Sequence, residues 1–258
     1  MVRIVTTMTV IPTRELALVR TITSIQRGNL KPDAMYVNIP NEYIRFSEPL
    51  EPWLKPVLTA MGVTVLQLEH DRCCLNKILP ILAIERDPET LVVTIDDDII
   101  YSPYFIAGLY EGYQKFGGVV GYSGLKYPEK VLAEGDDPMA YHVMVGHGGV
   151  SEILQQGFGT MTKLSSFFDF PHVPPLQKGM DPSLYLSDDY VLSRFYDFKG
   201  LSKTVVCWDQ IGRFEDDWSS ICTLGDDGMV HKLSESRKSL QDYLRTSEII
   251  KNLWNWPY

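Results

Sequence analysis

Leu91-Val92-Val93-Thr94-Ile95-Asp96-Asp97-Asp98 is the stretch on which the reading of this chain turns. An apolar, β-branched run of this length predicts a buried parallel strand, and it ends in three successive carboxylates. In open α/β sheets, ligands bind at the carboxyl ends of the strands. Three adjacent acids repel one another unless a cation or solvent screens them. Strand alternation predicts that Asp96 and Asp98 face one side and Asp97 the other. Such an arrangement suits a divalent metal held against a diphosphate, because hard cations take carboxylate and phosphate oxygens together. The competing reading is a solvated acidic turn. The apolar strand before the acids and the helical pattern after them argue against it.

Outward from this strand the first half alternates strand and helix. Residues 2–9 predict a first strand, and Thr13 an N-cap for a helix carrying Leu18, Val19, Ile22 and Ile25, stopped by Gly28. Residues 34–39 and 63–68 predict the second and third strands. A helix around 76–86 follows, with Leu75, Ile78, Leu79 and Leu82 on one face and Pro80 near its first turn. After the acids, Ser102-Pro103 opens a helix with Phe105, Leu109, Tyr113 and Phe116 inward, and 119–122 reads as a fifth strand. This order predicts an α/β fold, a mostly parallel sheet flanked by helices.

The second half is less regular. Residues 126–150 and 171–183 read as long loops, and 151–164 as an extended segment broken by Gly157-Phe158-Gly159. Ser187 begins a helix with Val191, Leu192 and Phe195 inward, 204–208 is a late strand, and 236–254 a C-terminal helix carrying Leu240, Tyr243, Leu244 and Ile250. With no repeat or linker in sight, one domain over 1–258 is expected. Residues 1–125 form its ligand-binding half and 126–258 its acceptor half.

The chain's 258 residues suffice for a large core, and 45% apolar and 22% charged residues are ordinary for a globular protein. A net charge of −9 without a Lys/Arg cluster argues against nucleic acid as a partner. No apolar run approaches a membrane span, and the start is strand-like rather than a signal peptide. Cys73, Cys74, Cys207 and Cys222 match no zinc spacing, so free thiols and an intracellular (cytoplasmic) site are expected.

Two further loops reach the edge occupied by the acids. Thr9-Val10-Ile11-Pro12-Thr13-Arg14 supplies backbone groups, a hydroxyl and a guanidinium. In Glu69–Lys77, Asp71 suits a pyrimidine ring N–H and Lys77 or Arg72 suits phosphate. Asp188-Asp189 at a helix start are favoured by the macrodipole, yet either carboxylate suits a general base on an acceptor hydroxyl. His231, in a late Gly/Asp-rich loop, is a candidate imidazole for the metal or diphosphate. Gly157 and Gly159 permit close backbone approach to a sugar, or a plain bulge.

Taken as a set, Thr9, Pro12 and Arg14 (a Thr-x-x-Pro-x-Arg turn), then Asp71, Lys77 and Pro80, then Asp96-Asp97-Asp98 and Asp188-Asp189 resemble the GT-A glycosyltransferases. The likeness is closest to family-2-like transferases of bacteria and large algal viruses, and it covers most of residues 2–198. The resemblance implies a DxD-type site for Mn²⁺ or Mg²⁺ on a nucleoside-diphosphate sugar, UDP-linked by preference, and transfer to a glycan or other hydroxyl acceptor. It implies nucleotide contacts from Arg14, Asp71 and Lys77, Asp96 near the ribose or sugar, metal ligation by Asp98, and an inverting transfer with Asp188 or Asp189 as base. Thr9, Pro12, Asp96 and Asp97 are further candidates at the nucleotide, and Asp96 and His231 at the metal, from their places in the sequence. The chain departs from the pattern at Cys73-Cys74, where small residues or proline are usual, and after Asp188-Asp189, where the nearest candidate for the basic residue that helps the diphosphate is Arg194. Rival readings are a haloacid-dehalogenase-type phosphatase, whose nucleophile strand comes first in the fold, and a transferase-like module that binds carbohydrate without turnover.

Overall fold

A computed structural model describes residues 2–126, 141–144, 148–180, 185, 187–206, 222–223 and 248–251. In chain order the elements are β1 (Ile4–Thr9), α1 (Glu15–Gln26), β2 (Ala34–Pro40), α2 (Leu54–Ala60), β3 (Thr64–Leu68), β4 (Leu91–Thr94), β5 (Ile99–Ile100) and α3 (Phe105–Phe116). The second half adds β6 (Val119–Gly121), β7 (Ser123–Lys126), β8 (Tyr141–Met144), β9 (Gly149–Val150), β10 (Ile153–Leu154), β11 (Thr160–Lys163), α4 (Asp188–Phe198), β12 (Lys203–Val205) and β13 (Cys222–Thr223).

The main sheet runs β3-β2-β1-β4-β11-β6-β12-β9. From β3 to β4 all neighbours are parallel, with Thr7 beside Thr94 and Thr9 beside Asn38. Strand alternation divides the core between the two faces. Ile4, Met8 and Val93 pack with α1 and α3 through Leu18, Ile22, Phe105 and Leu109. Val5 and Val92 point the other way, to Leu192, Phe195 and Tyr196 of α4. The fold is thus the expected α/β one, a mostly parallel sheet flanked by helices.

Several local expectations are corrected. Thr13 does not cap α1: it adopts a positive φ of 82°, and the helix starts after Arg14 without a side-chain cap. Between β2 and β3, read as directly consecutive, lies α2, whose Leu54 and Leu58 are buried one turn apart. The helix expected around 76–86 is instead two 3₁₀ turns, Cys73–Lys77 and Leu79–Ala83. Leu75, Ile78 and Ile81 are its fully buried residues, a spacing of three that fits 3.0 residues per turn, and Pro80 has no N–H to continue an α-helical ladder.

The segment 151–164 resolves into β10, a turn over 155–159, and β11, which enters the sheet antiparallel between β4 and β6. Ser187 caps α4 as expected, its side chain accepting from the Tyr190 N–H. The late strand spans Lys203–Val205. Of the expected C-terminal helix only 248–251 is described, and it is helical. His231 and most of the 126–150 loop lie outside the described residues. Cys73 and Cys74 are free thiols. No described helix is long and apolar enough to cross a membrane.

The turn before β11 depends on Gly159, at φ +99°, where a Cβ would sit 2.3 Å from the Phe105 ring. Positive φ and overpacking both penalise a side chain here, together by about 2–5 kcal/mol. Gly159→Ala is therefore expected to lower the unfolding free energy by about that amount in urea titration.

Candidate functional site

The acid triplet sits where β4 has ended. The strand stops at Thr94 and residues 97–98 form a turn, so the expected alternation is lost. Asp97 and Asp98 share one partner: Arg14 Nη1 lies 3.1 Å from Asp97 Oδ1 and 2.9 Å from Asp98 Oδ2. Asp97 also accepts from the Ile11 N–H at 3.2 Å, and its carbonyl accepts from Thr21 Oγ1. This carboxylate braces the loop after β1. Burial, outweighing Arg14, and the charges of Asp98 and Asp96 push its carboxyl up to about 7.

Asp96 points elsewhere. Its Oδ1 is 2.6 Å from the Lys77 ammonium, which also pairs with Asp188 Oδ2 at the start of α4. Lys77 is almost wholly buried, while the Asp96 side chain is 40% exposed. Burial alone would lower the Lys77 pKa, but Asp188 and Asp96 hold the ammonium well above its ordinary range. The backbone of Lys77 is fixed as well, its carbonyl accepting from Thr7 Oγ1 at 2.5 Å and Asn38 Nδ2 at 3.3 Å. Asp188 is raised by burial against the pull of Lys77.

Asp189 accepts from the Gln156 N–H at 2.7 Å. The Gln156 side chain is buried against Thr94 and Thr160, so this contact ties α4 to the centre of the sheet. Burial and the neighbouring Asp188 charge push the Asp189 carboxyl up to about 7. Tyr101 completes the frame: the Asp96 N–H donates to its hydroxyl at 3.0 Å, and the hydroxyl donates to Gly157 O at 2.5 Å. A Cβ on Gly157 would fall 1.9 Å from Asp96 Oδ2, so glycine there keeps that oxygen open.

The structure therefore brings together Arg14, Lys77, Asp96, Asp97, Asp98, Asp188 and Asp189. Asp71 stands nearby but is engaged: Oδ1 accepts from the Cys73 N–H at 2.7 Å and Asn76 Nδ2 at 2.9 Å, and Oδ2 from the Ile44 N–H at 3.0 Å. Thr9 donates to Asn38 O and Pro12 is buried in the turn before α1. Arg194 pairs with Asp197 on its own helix at 3.5 Å. Asn38 and Gln156 carry no local signature in the sequence, and Tyr101, which as an aromatic suits stacking on a sugar ring, is instead buried and spent on the Asp96 N–H and Gly157 O. Beside the site, Tyr43, Phe46, Glu48, Glu51, Lys55 and Gln67 line a cleft of 520 Å³ at the carboxyl ends of β2 and β3.

Among the described residues no group of three His, Cys, Asp or Glu side chains is arranged to hold a metal ion. The donor chemistry still suits one. Five carboxylates face two cations, and Asp96, 40% exposed, pairs with Lys77 through Oδ1 while its Oδ2 faces Gly157. A Mg²⁺-like ion needs only one or two carboxylates when phosphate oxygens complete its shell.

No protein-family profile and no characterised protein sequence matches the chain. Solved structures do share its fold. Glucosyl-3-phosphoglycerate synthase from Mycobacterium tuberculosis, in complex with Mn²⁺, UDP and glucosyl-3-phosphoglycerate, superposes with a TM-score of 0.51 at 12% identity, over 99% of this chain and 81% of that one. A mannosyltransferase from Pyrobaculum calidifontis, in complex with GDP-Man and Mn²⁺, gives 0.50 at 12% identity, over 80% of this chain and 56% of that one. A mycobacterial protein gives 0.48 at 15% identity over 78% of this chain. The chain spans less than two thirds of the length of the last two, 56% and 64%. The fold is GT-A-like, shared with the synthase and the mannosyltransferase.

Two outcomes test this electrostatic frame. Lys77→Met leaves the buried Asp188 carboxylate, and the half-exposed Asp96 beside it, without their cation and is expected to cost about 3–5 kcal/mol in chemical denaturation. Because the Asp189 carboxyl keeps its proton to higher pH in the folded protein, the native state binds more protons than the unfolded chain between about pH 4 and pH 7. Stability contributed by this group thus falls as pH rises through that window, and Asp189→Asn is expected to flatten this part of the melting-temperature profile.

Proposed function

We propose that this protein is a metal-dependent glycosyltransferase that moves a sugar from a nucleoside-diphosphate donor, UDP-linked by preference, to an acceptor hydroxyl with inversion. The observation that carries this reading is the convergence of the acid triplet, Lys77 and the Asp188-Asp189 pair. Donor-binding and proton-accepting groups meet within one network, at the sheet edge where α/β folds bind ligands. A phosphatase needs a nucleophilic carboxylate but no second pair at a helix start, and a binding module needs no base.

Asp96 and Asp98 would hold Mn²⁺ or Mg²⁺ against the diphosphate, where the ion supplies charge neutralisation for the departing phosphate. His231 is a further candidate ligand. Lys77, fixed beside Asp96, lies where it can share that charge. Asp188 is committed to Lys77, so Asp189 is the group assigned to take the proton. Its pKa near neutrality suits general-base work. As the acceptor oxygen bonds to the anomeric carbon, its proton passes to Asp189. The bond from that carbon to the phosphate oxygen breaks, and its electron pair leaves with the diphosphate. The three hydrogen bonds already held by Asp71 leave one acceptor direction of its carboxylate for a base N–H, enough for a single contact.

The test is thermal unfolding with UDP, GDP, CDP and dTDP, each with and without Mn²⁺, followed by donor turnover. A metal-dependent rise with one diphosphate is expected, since a ligand bound to the native state raises the midpoint. Asp98→Ala is expected to abolish the metal dependence. Asp189→Asn is expected to keep donor binding and lower turnover by about 10²-fold or more. Binding without turnover in the wild type would favour an inactive module, and absence of binding would remove the nucleotide-sugar reading.

A further inference from the structure

The cations around the triplet are already engaged. Arg14 serves Asp97 and Asp98, Lys77 serves Asp96 and Asp188, and Arg72 donates through Nε to Val173 O at 2.7 Å. Arg45 differs. Its Nε is buried and has no hydrogen-bond partner among the described residues, although a buried N–H without an acceptor is costly.

The position of Arg45 is fixed rather than incidental. Tyr43 donates its hydroxyl to Val10 O at 2.8 Å, and the Ile44 N–H donates to Asp71 at 3.0 Å. The segment carrying Arg45 is thus pinned to the loop after β1 and to the loop after β3. The guanidinium carbon lies 5.4 Å from the centre of the Phe46 ring, which supports the planar group from one side. Arg45 is not among the residues lining the 520 Å³ cleft. Its charge instead acts on the Cys74 thiol, as do those of Lys77 and Asp188. The hydrogen bonds of its two neighbours thus place Arg45 between the loop after β1, which carries Arg14, and the loop that carries Asp71 and Lys77.

We propose that Arg45 is an anion-binding residue of this site and takes phosphate oxygens of the bound ligand through its guanidinium fork. A preorganised arginine with an unused buried donor suits bidentate phosphate recognition. The phosphate belongs either to the donor diphosphate or to a phosphorylated acceptor. The inference deepens the nucleotide-sugar reading, and only the assignment to the donor rests on it.

Calorimetric titration of UDP (with Mn²⁺), inorganic pyrophosphate and inorganic phosphate into wild type, Arg45→Met, Arg45→Gln and Arg45→Lys tests this. A loss of tenfold or more for UDP and pyrophosphate in the Met and Gln variants, partly restored by Lys, assigns Arg45 to the donor diphosphate. A loss for inorganic phosphate or pyrophosphate with UDP affinity kept assigns it to a phosphate on the other substrate. Unchanged affinity for all three overturns the proposal. Wild-type binding of pyrophosphate through Arg45 without binding of any nucleoside diphosphate leaves Arg45 standing and removes the nucleotide reading; binding of neither overturns both. The ligand-free melting temperature separates this role from a structural one. Removing an unsatisfied donor is expected to leave it unchanged or raise it, and a fall in both the Met and Gln variants would make Arg45 a structural residue.

Discussion

The site is organised around a buried ammonium shared by two carboxylates from distant parts of the chain. Lys77 cannot be buried alone, because desolvating its charge costs several kcal/mol. Asp96, at the end of β4, and Asp188, at the start of α4, make that burial tolerable. The bond network then propagates. Thr7 of β1 and Asn38 of β2 hold the Lys77 carbonyl, so the 3₁₀ turn is fixed to the sheet at one end and to the acids at the other. Once α4 is drawn to the sheet edge, the 155–159 turn must pass close to Asp96, and only glycine fits at 157. The position of the second half of the protein thus follows from a charge placed in the first.

The triplet divides its labour. Three consecutive carboxylates would be prohibitive if all were ionised and unpaired, and Arg14 relieves two of them at once. Asp97 is consumed in bracing the loop after β1, and its carboxyl, pushed up to about 7, carries part of the remaining repulsion as a retained proton. Asp96 stays the most open of the three because it faces a glycine and a lysine instead of packed side chains.

Much of the frame was legible in the sequence because it rests on local patterns. The apolar runs at 4–9, 34–40 and 91–94 have no alternative to burial in a parallel sheet, and Phe105 and Leu109 mark the buried face of α3. Ser187 marks the start of α4, and Asp96, Lys77 and Asp188 each stand out in the sequence as candidate site residues, although their contact does not. Features that depend on distant partners were not legible. The length of α2 is too short for a periodic signal. The turns at 73–83 follow a spacing of three that apolar counting confuses with a helix until Pro80 is weighed. The direction of β11 is set by the strands it pairs with, since an apolar run reads the same either way. Gln156 and Tyr101 position the acids through one backbone N–H or one hydroxyl, and neither leaves a mark in composition.

Charge balance offers the strongest physical argument for what the site is built to receive. Five carboxylates converge on two cations, and two of the five, Asp97 and Asp189, are pushed to about 7. A fold selected only for stability would relieve that repulsion with another basic residue or with apolar groups, since buried ion pairs rarely outperform hydrophobic packing. Retaining the acids keeps the edge negative where the strands end, while the buried Arg45 Nε has no hydrogen-bond partner among the described residues. An anion alone would bind against the repulsion of the carboxylates, and a cation alone would leave the Arg45 donor unused. A divalent ion paired with a phosphate group would satisfy both, which is the charge pattern of the metal-bound nucleoside diphosphate proposed for this site.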